Sequence, residues 1–424
     1  MELEEITTSE SALKANIDTH NIEKPKDVPD VPPKNSKISN CDIFFLLLSI
    51  FIHCCDIYTD TKLIASFFIN KKLYTLSWTI SFILIASFIN TIVSLQMYHQ
   101  DEEENLLNKK RPFLKKIIHF FTVILNIIFQ FTMVQRYCNS LKYAIKSRLC
   151  KRKNNCVGQK KYFIQMLKEE EDIALLRVLE CFIEAAPQLI LQLSIFVQDY
   201  HGEYSSMSLD QVSNIVSSFI SLAWAMVNYH RNIRLAQQHK RNINCAGTIL
   251  QFLWHLFITT SRIASVLAAA IFSTICVLVM CVLHWIAMTI WLIMESRGIV
   301  NFCKTKRRTP HLPSTLGEKI KSTLFSCVFG FVYIFIYVNF EDNGTYSKHL
   351  LYYTVCFLEN ISAAILVVLS VPTDLKTVWY HYVISAMCIV PFIIGIIAMI
   401  FYYIQFHPSM KHQTFSLSKI LRSK

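Results

Sequence analysis

The chain has 424 residues, 53% of them hydrophobic and only 17% charged, with a mean hydropathy of +0.36, a balance that excludes an ordinary water-soluble globular fold. Its 8 glycines lie too far apart for a phosphate-cradling loop, a dinucleotide fingerprint or a GxxxG pair. The formal charge of +12 reads as Lys and Arg gathered on the cytoplasmic face of a multi-span protein rather than as a nucleic-acid surface.

Residues 1–40 carry Pro25, Pro29, Pro32 and Pro33 among Lys, Asp and Glu, which predicts a disordered cytoplasmic tail. The acidic start Met1–Glu5 is unlike a signal peptide. A helix needs roughly 20 apolar residues to cross a bilayer. Ten runs approach that length: Cys41–Ile69, Leu73–Tyr98, Phe113–Gln135, Ile173–Val197, Gln211–Tyr229, Ala246–Phe272, Ser273–Met294, Lys321–Phe340, Leu350–Val371 and Val378–Phe406. Residues 407–424 form a basic tail.

Nine Lys or Arg and no acid fall between Arg136 and Lys161, and Arg231–Arg241, Arg297–Lys321 and Lys411–Lys424 are also basic, so all four are expected to be cytoplasmic loops or tails. The acidic link Asp199–Asp210 suits the outside, whereas Lys71 and Lys72 run against the rule. Ten simple crossings would put the internal basic loops outside. Letting Phe113–Gln135 and Lys321–Phe340 dip in and return removes the conflict. The expectation is an all-α polytopic membrane protein with eight transmembrane helices plus two partly inserted ones, both termini cytoplasmic. Both exceptions fall third in a set of five, and Cys181-Phe182-Ile183-Glu184 echoes Cys356-Phe357-Leu358-Glu359. Two similar halves, 41–230 and 231–406, follow.

Ionisable groups inside apolar spans cost about 2.5 kcal/mol or more each, so they mark function or pairing. Arg177, Glu180, Glu184, Gln188 and Gln192 recur every three or four residues and share one helical stripe, opposite apolar Leu176, Leu179, Ile183 and Leu191. Pro187 predicts a kink beside Glu184. Asp56 and Asp60 share a face of the first run, Arg262 interrupts the sixth, and Glu359 and Asn360 the ninth. In one reading the four acids Asp56, Asp60, Glu180 and Glu184 pair with Arg177 and Arg262 to hold helices together. In the other they line a hydrated groove for a charged headgroup, and the two are compatible.

No metal or cofactor is expected: the 14 Cys and 14 His never take metal-ligand spacing, and Cys54, Cys181, Cys276, Cys281, Cys327 and Cys356 lie in apolar runs as small hydrophobes. No GxSxG motif occurs, and nothing in the sequence points to an enzyme. His255 and His284 read as packed or interfacial. The sequons at Asn343 and Asn360 would be cytoplasmic and intramembrane, so neither is expected to be glycosylated.

The residues Asp56-Ile57-Tyr58-Thr59-Asp60, the run Leu179-Glu180-Cys181-Phe182-Ile183-Glu184-Ala185-Ala186-Pro187-Gln188-Leu189-Ile190-Leu191-Gln192-Leu193, His284-Trp285 and Phe357-Leu358-Glu359-Asn360 resemble the XK-related membrane proteins. The likeness covers roughly Cys41 to Phe406, and Glu-x-x-x-Glu-x-x-Pro-Gln-Leu is its specific element. The resemblance implies a plasma-membrane phospholipid scramblase that moves phosphatidylserine to the outer leaflet of dying cells without ATP or calcium. It also implies eight spans and two partly inserted helices in two pseudo-symmetric halves, with the family's acidic pairs at Asp56 and Asp60 and at Glu180 and Glu184.

Relatives are similar in being activated when a caspase removes a tail, C-terminal in vertebrates and N-terminal in a nematode relative. Here the last Asp is Asp374, so the C-terminal tail offers no site, whereas Asp27-Val28-Pro29-Asp30 in the N-terminal tail is a DxxD pattern. The expectation is caspase cleavage after Asp30. Membrane phospholipids are the expected partners. A single-span chaperone subunit and a homodimer are both open, as is the alternative of a non-scrambling member that acts as a partner subunit or carries a small polar solute.

Overall fold

The computed structural model describes residues 38, 40–103, 123–127, 130–199, 209–236, 243–295, 315–338, 345–369 and 378–406. Among them every regular element is helical. The order is α1 (Asn40–Ile69), α2 (Leu73–Glu103), α3 (Phe131–Arg152), α4 (Cys156–Glu180), a π-helical turn (Cys181–Ala185), α5 (Ala186–Asp199), α6 (Leu209–Ala236), α7 (Cys245–Phe272), α8 (Thr274–Glu295), α9 (Leu316–Val332), α10 (Thr345–Leu369) and α11 (Val378–Gln405). A short helical segment at 123–127 precedes α3. Asp27, Asp30, Asn343 and the C-terminal tail lie outside the described residues.

Among the described residues six helices, α1, α2, α7, α8, α10 and α11, are long and apolar enough to cross a membrane. Polarity is arranged accordingly. Phe51, Tyr58, Phe88, Leu283 and Ile397 are exposed, while Arg136, Arg177, Arg262, Gln188 and Asn360 are buried. Such a surface suits hydrocarbon rather than water. The longest of the other elements, helical from Cys156 to Asp199 and rising ~65 Å at 1.5 Å per residue, runs through the middle of the bundle against α2, α3, α6, α7 and α9. Its charges keep it out of the apolar set, and its burial explains why it can carry them.

Pro187 has no N–H to continue the helical ladder, and the backbone widens into the π turn Cys181–Ala185 just before it. The kink expected beside Glu184 is therefore a π turn with Glu184 inside it. At its start α4 is capped by Asn155, whose side chain accepts from the Gly158 N–H at 2.8 Å, after Asn154 takes a left-handed φ of 55°.

That reversal corrects one expectation. The basic stretch Arg136–Lys161 is not a loop but a helical hairpin of α3 and α4 closed at 153–155. Lys and Arg are good helix formers, so a basic stretch favours a side of the membrane without breaking a helix. Arg136 itself is buried, held by Asp172 at 2.7 Å and Glu169 at 3.1 Å.

Both runs expected to dip into the membrane are interrupted. Gln130 takes a left-handed φ of 54° between the segment 123–127 and α3, and Ser87 on α2 donates to the Ile127 carbonyl at 2.7 Å. The run Lys321–Phe340 stops being helical at Val332, and Tyr333 to Val338 continue as a non-helical segment, each residue at most 4% exposed. Its carbonyls are held by side chains. The Tyr333 carbonyl accepts from the Tyr352 hydroxyl at 2.8 Å and lies 3.0 Å from His284 Nε2, and the Ile334 carbonyl accepts from Arg262 Nε at 3.0 Å. Irregular backbone survives among apolar helices only when protein groups satisfy it in this way.

Candidate functional site

Two polar cores lie inside the bundle. The first is built on the central helix. At its middle Arg177 donates through Nη2 to Asp56 Oδ2 of α1 at 2.5 Å and also to Ser221 of α6, while Nη1 lies 3.0 Å from Glu180 Oε1. Ser221 donates to the same Asp56 oxygen at 3.2 Å, and His53 Nδ1 lies 3.8 Å from Glu180. Further along, Asp60 Oδ1 accepts from Gln188 Nε2 at 2.8 Å and from Asn214 Nδ2 at 2.7 Å. Gln192 Nε2 donates to Asn214 Oδ1 at 2.7 Å, and Gln130 Nε2 to Glu184 Oε1 at 3.4 Å.

The same face of the central helix extends below Arg177 to buried Glu170, which accepts from Ser140 and, at 3.2 Å, from Asn232 Nδ2. From Glu170 to Gln192 the buried polar positions cover ~33 Å of helix rise, about the ~30 Å thickness of a hydrocarbon core.

The charges in this core do not balance. Asp56, Asp60, Glu180 and Glu184 face one guanidinium, that of Arg177, and Asp60 and Glu184 have no cation partner among the described residues. Five acceptor oxygens of this core, Asp56 Oδ1 on α1 and Glu180 Oε2, Glu184 Oε2, Gln188 Oε1 and Gln192 Oε1 on the stripe, are buried without a hydrogen bond. A buried acceptor left unmatched costs about 1–3 kcal/mol, so the stripe is kept at the expense of stability.

The second core joins α7, α8 and α10. Arg262 Nη2 pairs with Glu359 Oε2 at 2.7 Å, Nη1 donates to Asn360 Oδ1 at 2.8 Å, and His284 Nδ1 lies 2.7 Å from Glu359 Oε1. Asn360 Nδ2 donates to Ser261 Oγ at 2.9 Å. Asn360 is wholly buried, so its sequon is inaccessible in the folded chain. Arg262 is thus the partner of Glu359 and not of the four acids of the first core. His284 is a packed residue with two polar contacts, while His255 stacks on Trp254 at 4.4 Å.

A groove along the stripe is not what this arrangement shows. Arg177, Glu180, Glu184, Gln188 and Gln192 are each at most 6% exposed, because α1 and α6 close over them through Asp56, Ser221 and Asn214. Asp60 and Glu359 are the partly exposed acids of the two cores.

Sequence reading missed the contribution of α6. Its signal was present: Asn214, Ser218, Ser221, Asn228 and Asn232 recur at helical spacing on one face, and all five are buried. His53 in mid-span and Gln130 were missed as lone polar residues, and Glu170 because it sits in the charged run Lys168–Asp172 just before the fourth apolar run.

A model of the XK-related protein family matches residues 44–408. The chain is 27% identical over 383 residues, 87% of this chain and 79% of the relative, to Cell death abnormality protein 8 of Caenorhabditis elegans. It is 26% identical over 383 residues, with the same coverage, to the protein of that name in Caenorhabditis briggsae.

Proposed function

Because the chain belongs to the XK-related family, we propose that it is an ATP-independent phospholipid scramblase of the plasma membrane that exposes phosphatidylserine at the surface of dying cells. The observation that carries this reading is the polar stripe from Glu170 to Gln192, as long as a bilayer's hydrocarbon core is thick and retained although four of its acceptors are unmatched. A headgroup moving beside such a stripe would exchange hydration for stepwise polar partners while its acyl chains stayed in lipid. The relatives' name, with its reference to cell death, supports the physiological setting.

In this reading eight segments cross, the six apolar helices together with the central helix and α6, and the segments ending near Gln130 and Tyr333 are partly inserted, with both termini cytoplasmic. Residues 41–230 and 231–406 are two repeats. The side chains that hold carbonyls at the broken segments, Ser87 on α2 and His284 on α8, occupy matching places in that scheme. The closed stripe is the resting form, and caspase cleavage after Asp30 frees the α1 end so that α1 can part from the central helix.

The stripe's closure favours a second reading, a non-scrambling family member that serves as a partner subunit. Purified chain in liposomes bearing a fluorescent phosphatidylserine separates the two. Scrambling by chain lacking residues 1–30, and little by the full chain, supports the first; no lipid movement by either supports the second. Unchanged phosphatidylserine exposure in dying cells that carry Asp30→Ala would remove the caspase step alone.

A further inference from the structure

The α3–α4 hairpin carries a feature that lipid transport does not use. Between its closed end and the start of α1 lies a cleft of about 370 Å³, lined by Asn40 of α1 and by Ser147, Arg148, Lys151, Arg152 and Gln159 of the hairpin. Small-ligand sites fall in the range ~300–1,000 Å³. Arg148 is fixed in the wall by a 2.8 Å bond from Nη2 to Asn40 Oδ1, and Ser147 ties the two hairpin helices by donating to the Gln159 carbonyl at 3.1 Å. Lys151 and Arg152 are exposed, with no side-chain partner among the described residues. No acid lines the cleft.

Its height and surroundings name the ligand. Asn40 is the first residue of a helix apolar enough to span the membrane, so the cleft sits where α1 leaves the hydrocarbon. Along α3 runs a lipid-compatible stripe, Phe131, Val134, Ile145 and Leu149, all exposed and at helical spacing, and its Ile145 and Leu149 end adjoins the cleft. An apolar face beside a cluster of basic side chains is the pattern of a surface that rests on anionic lipid. Three basic groups around one cleft exceed what a singly charged headgroup needs.

We propose that this cleft binds the headgroup of a cytoplasmic-leaflet phospholipid bearing phosphomonoester groups, with Lys151 and Arg152 as the mobile contacts and Arg148 as the fixed one. The sidedness rests on the topology proposed above. The site itself does not depend on lipid transport, so a binding measurement can fail without touching that reading, and the reverse.

The test uses the full chain in nanodiscs of neutral lipid, titrated with dioctanoyl phosphatidylinositol bisphosphate. Binding that weakens tenfold or more in Lys151→Gln/Arg152→Gln, weakens with added salt, and is unchanged in the equally discharged Lys142→Gln/Lys161→Gln supports the site. Equal loss in both double variants, or none in the first, overturns it. Free inositol trisphosphate binding as tightly as the lipid would overturn the membrane source. Residues 1–30 hold eight acids and three Lys; displacement of the lipid by a peptide of those residues at lower concentration would assign the cleft to the chain's own tail instead.

Discussion

Arg262 on α7 and Glu359 on α10 meet through Nη2 and Oε2 at 2.7 Å, and the other Glu359 oxygen lies 2.7 Å from Nδ1 of His284 on α8, so one carboxyl group ties three helices. The same guanidinium holds the Ile334 carbonyl and the Asn360 side chain. Removing it leaves several buried groups unmatched together. Arg262→Ala is expected to cost about 3–5 kcal/mol, the range for breaking a buried pair. Removing Glu359 as well should cost less than the sum of the two single changes, as thermal unfolding of the purified variants in detergent would measure.

The acids of the first core are expected to separate by partner. Glu180 lies 3.0 Å from Arg177, whereas Glu184 is held by the Gln130 amide at 3.4 Å and makes no ion pair among the described residues. Glu180→Gln should destabilise by roughly 2–4 kcal/mol because it leaves Arg177 short of charge. Glu184→Gln should be neutral or stabilising, since an unpaired buried carboxylate is costly. Equal unfolding temperatures for the two variants would contradict this assignment.

Arg136 is expected not to tolerate Lys. Its Nε donates to Ser94 Oγ at 2.8 Å, Nη1 reaches Asp172 and Glu169, and the guanidinium lies 4.0 Å from the centre of the Tyr98 ring. An ammonium cannot span these directions. Arg136→Lys should lose about 2 kcal/mol or more of stability, from forfeited charged hydrogen bonds worth ~1.5–3 kcal/mol each. Exposed Arg152→Lys should lose almost nothing.

At Gly330 α9 packs tightly on Thr289 of α8. A Cβ added there would collide with Thr289 Oγ1 and sit 3.2 Å from Thr289 Cα. Gly330→Ala should destabilise by about 1–3 kcal/mol through overpacking, and Thr289→Ala in the same chain should restore part of the loss. An unfolding series of the two single variants and the double would show it.

The stripe on the central helix was legible because spacing alone places Arg177, Glu180, Glu184, Gln188 and Gln192 together, and the kink because proline cannot donate. Which acid each arginine takes was not legible. Arg262 reaches a residue 97 positions away, and distance along the chain says nothing of distance across a bundle. The Ser and Asn of α6 escaped notice because uncharged polar side chains barely lower the apolar score of a span. The basic hairpin was mistaken for a loop because charge reports a side of the membrane and not a backbone conformation. Closure of the stripe was not legible from the stripe itself, since a polar helical face can look at water or at another polar face.

On the acids and amides of the first core the unmatched atoms are oxygens, which accept and do not donate, and they outnumber the one unmatched guanidinium donor there, Arg177 Nη1. A headgroup entering there would therefore lead with its ammonium, which choline, ethanolamine and serine lipids carry and phosphatidic acid lacks. Only the primary ammonium of the last two amines can also supply N–H bonds to those oxygens. Under the proposed lipid path, this core would rank lipids by their nitrogen more than by their net charge.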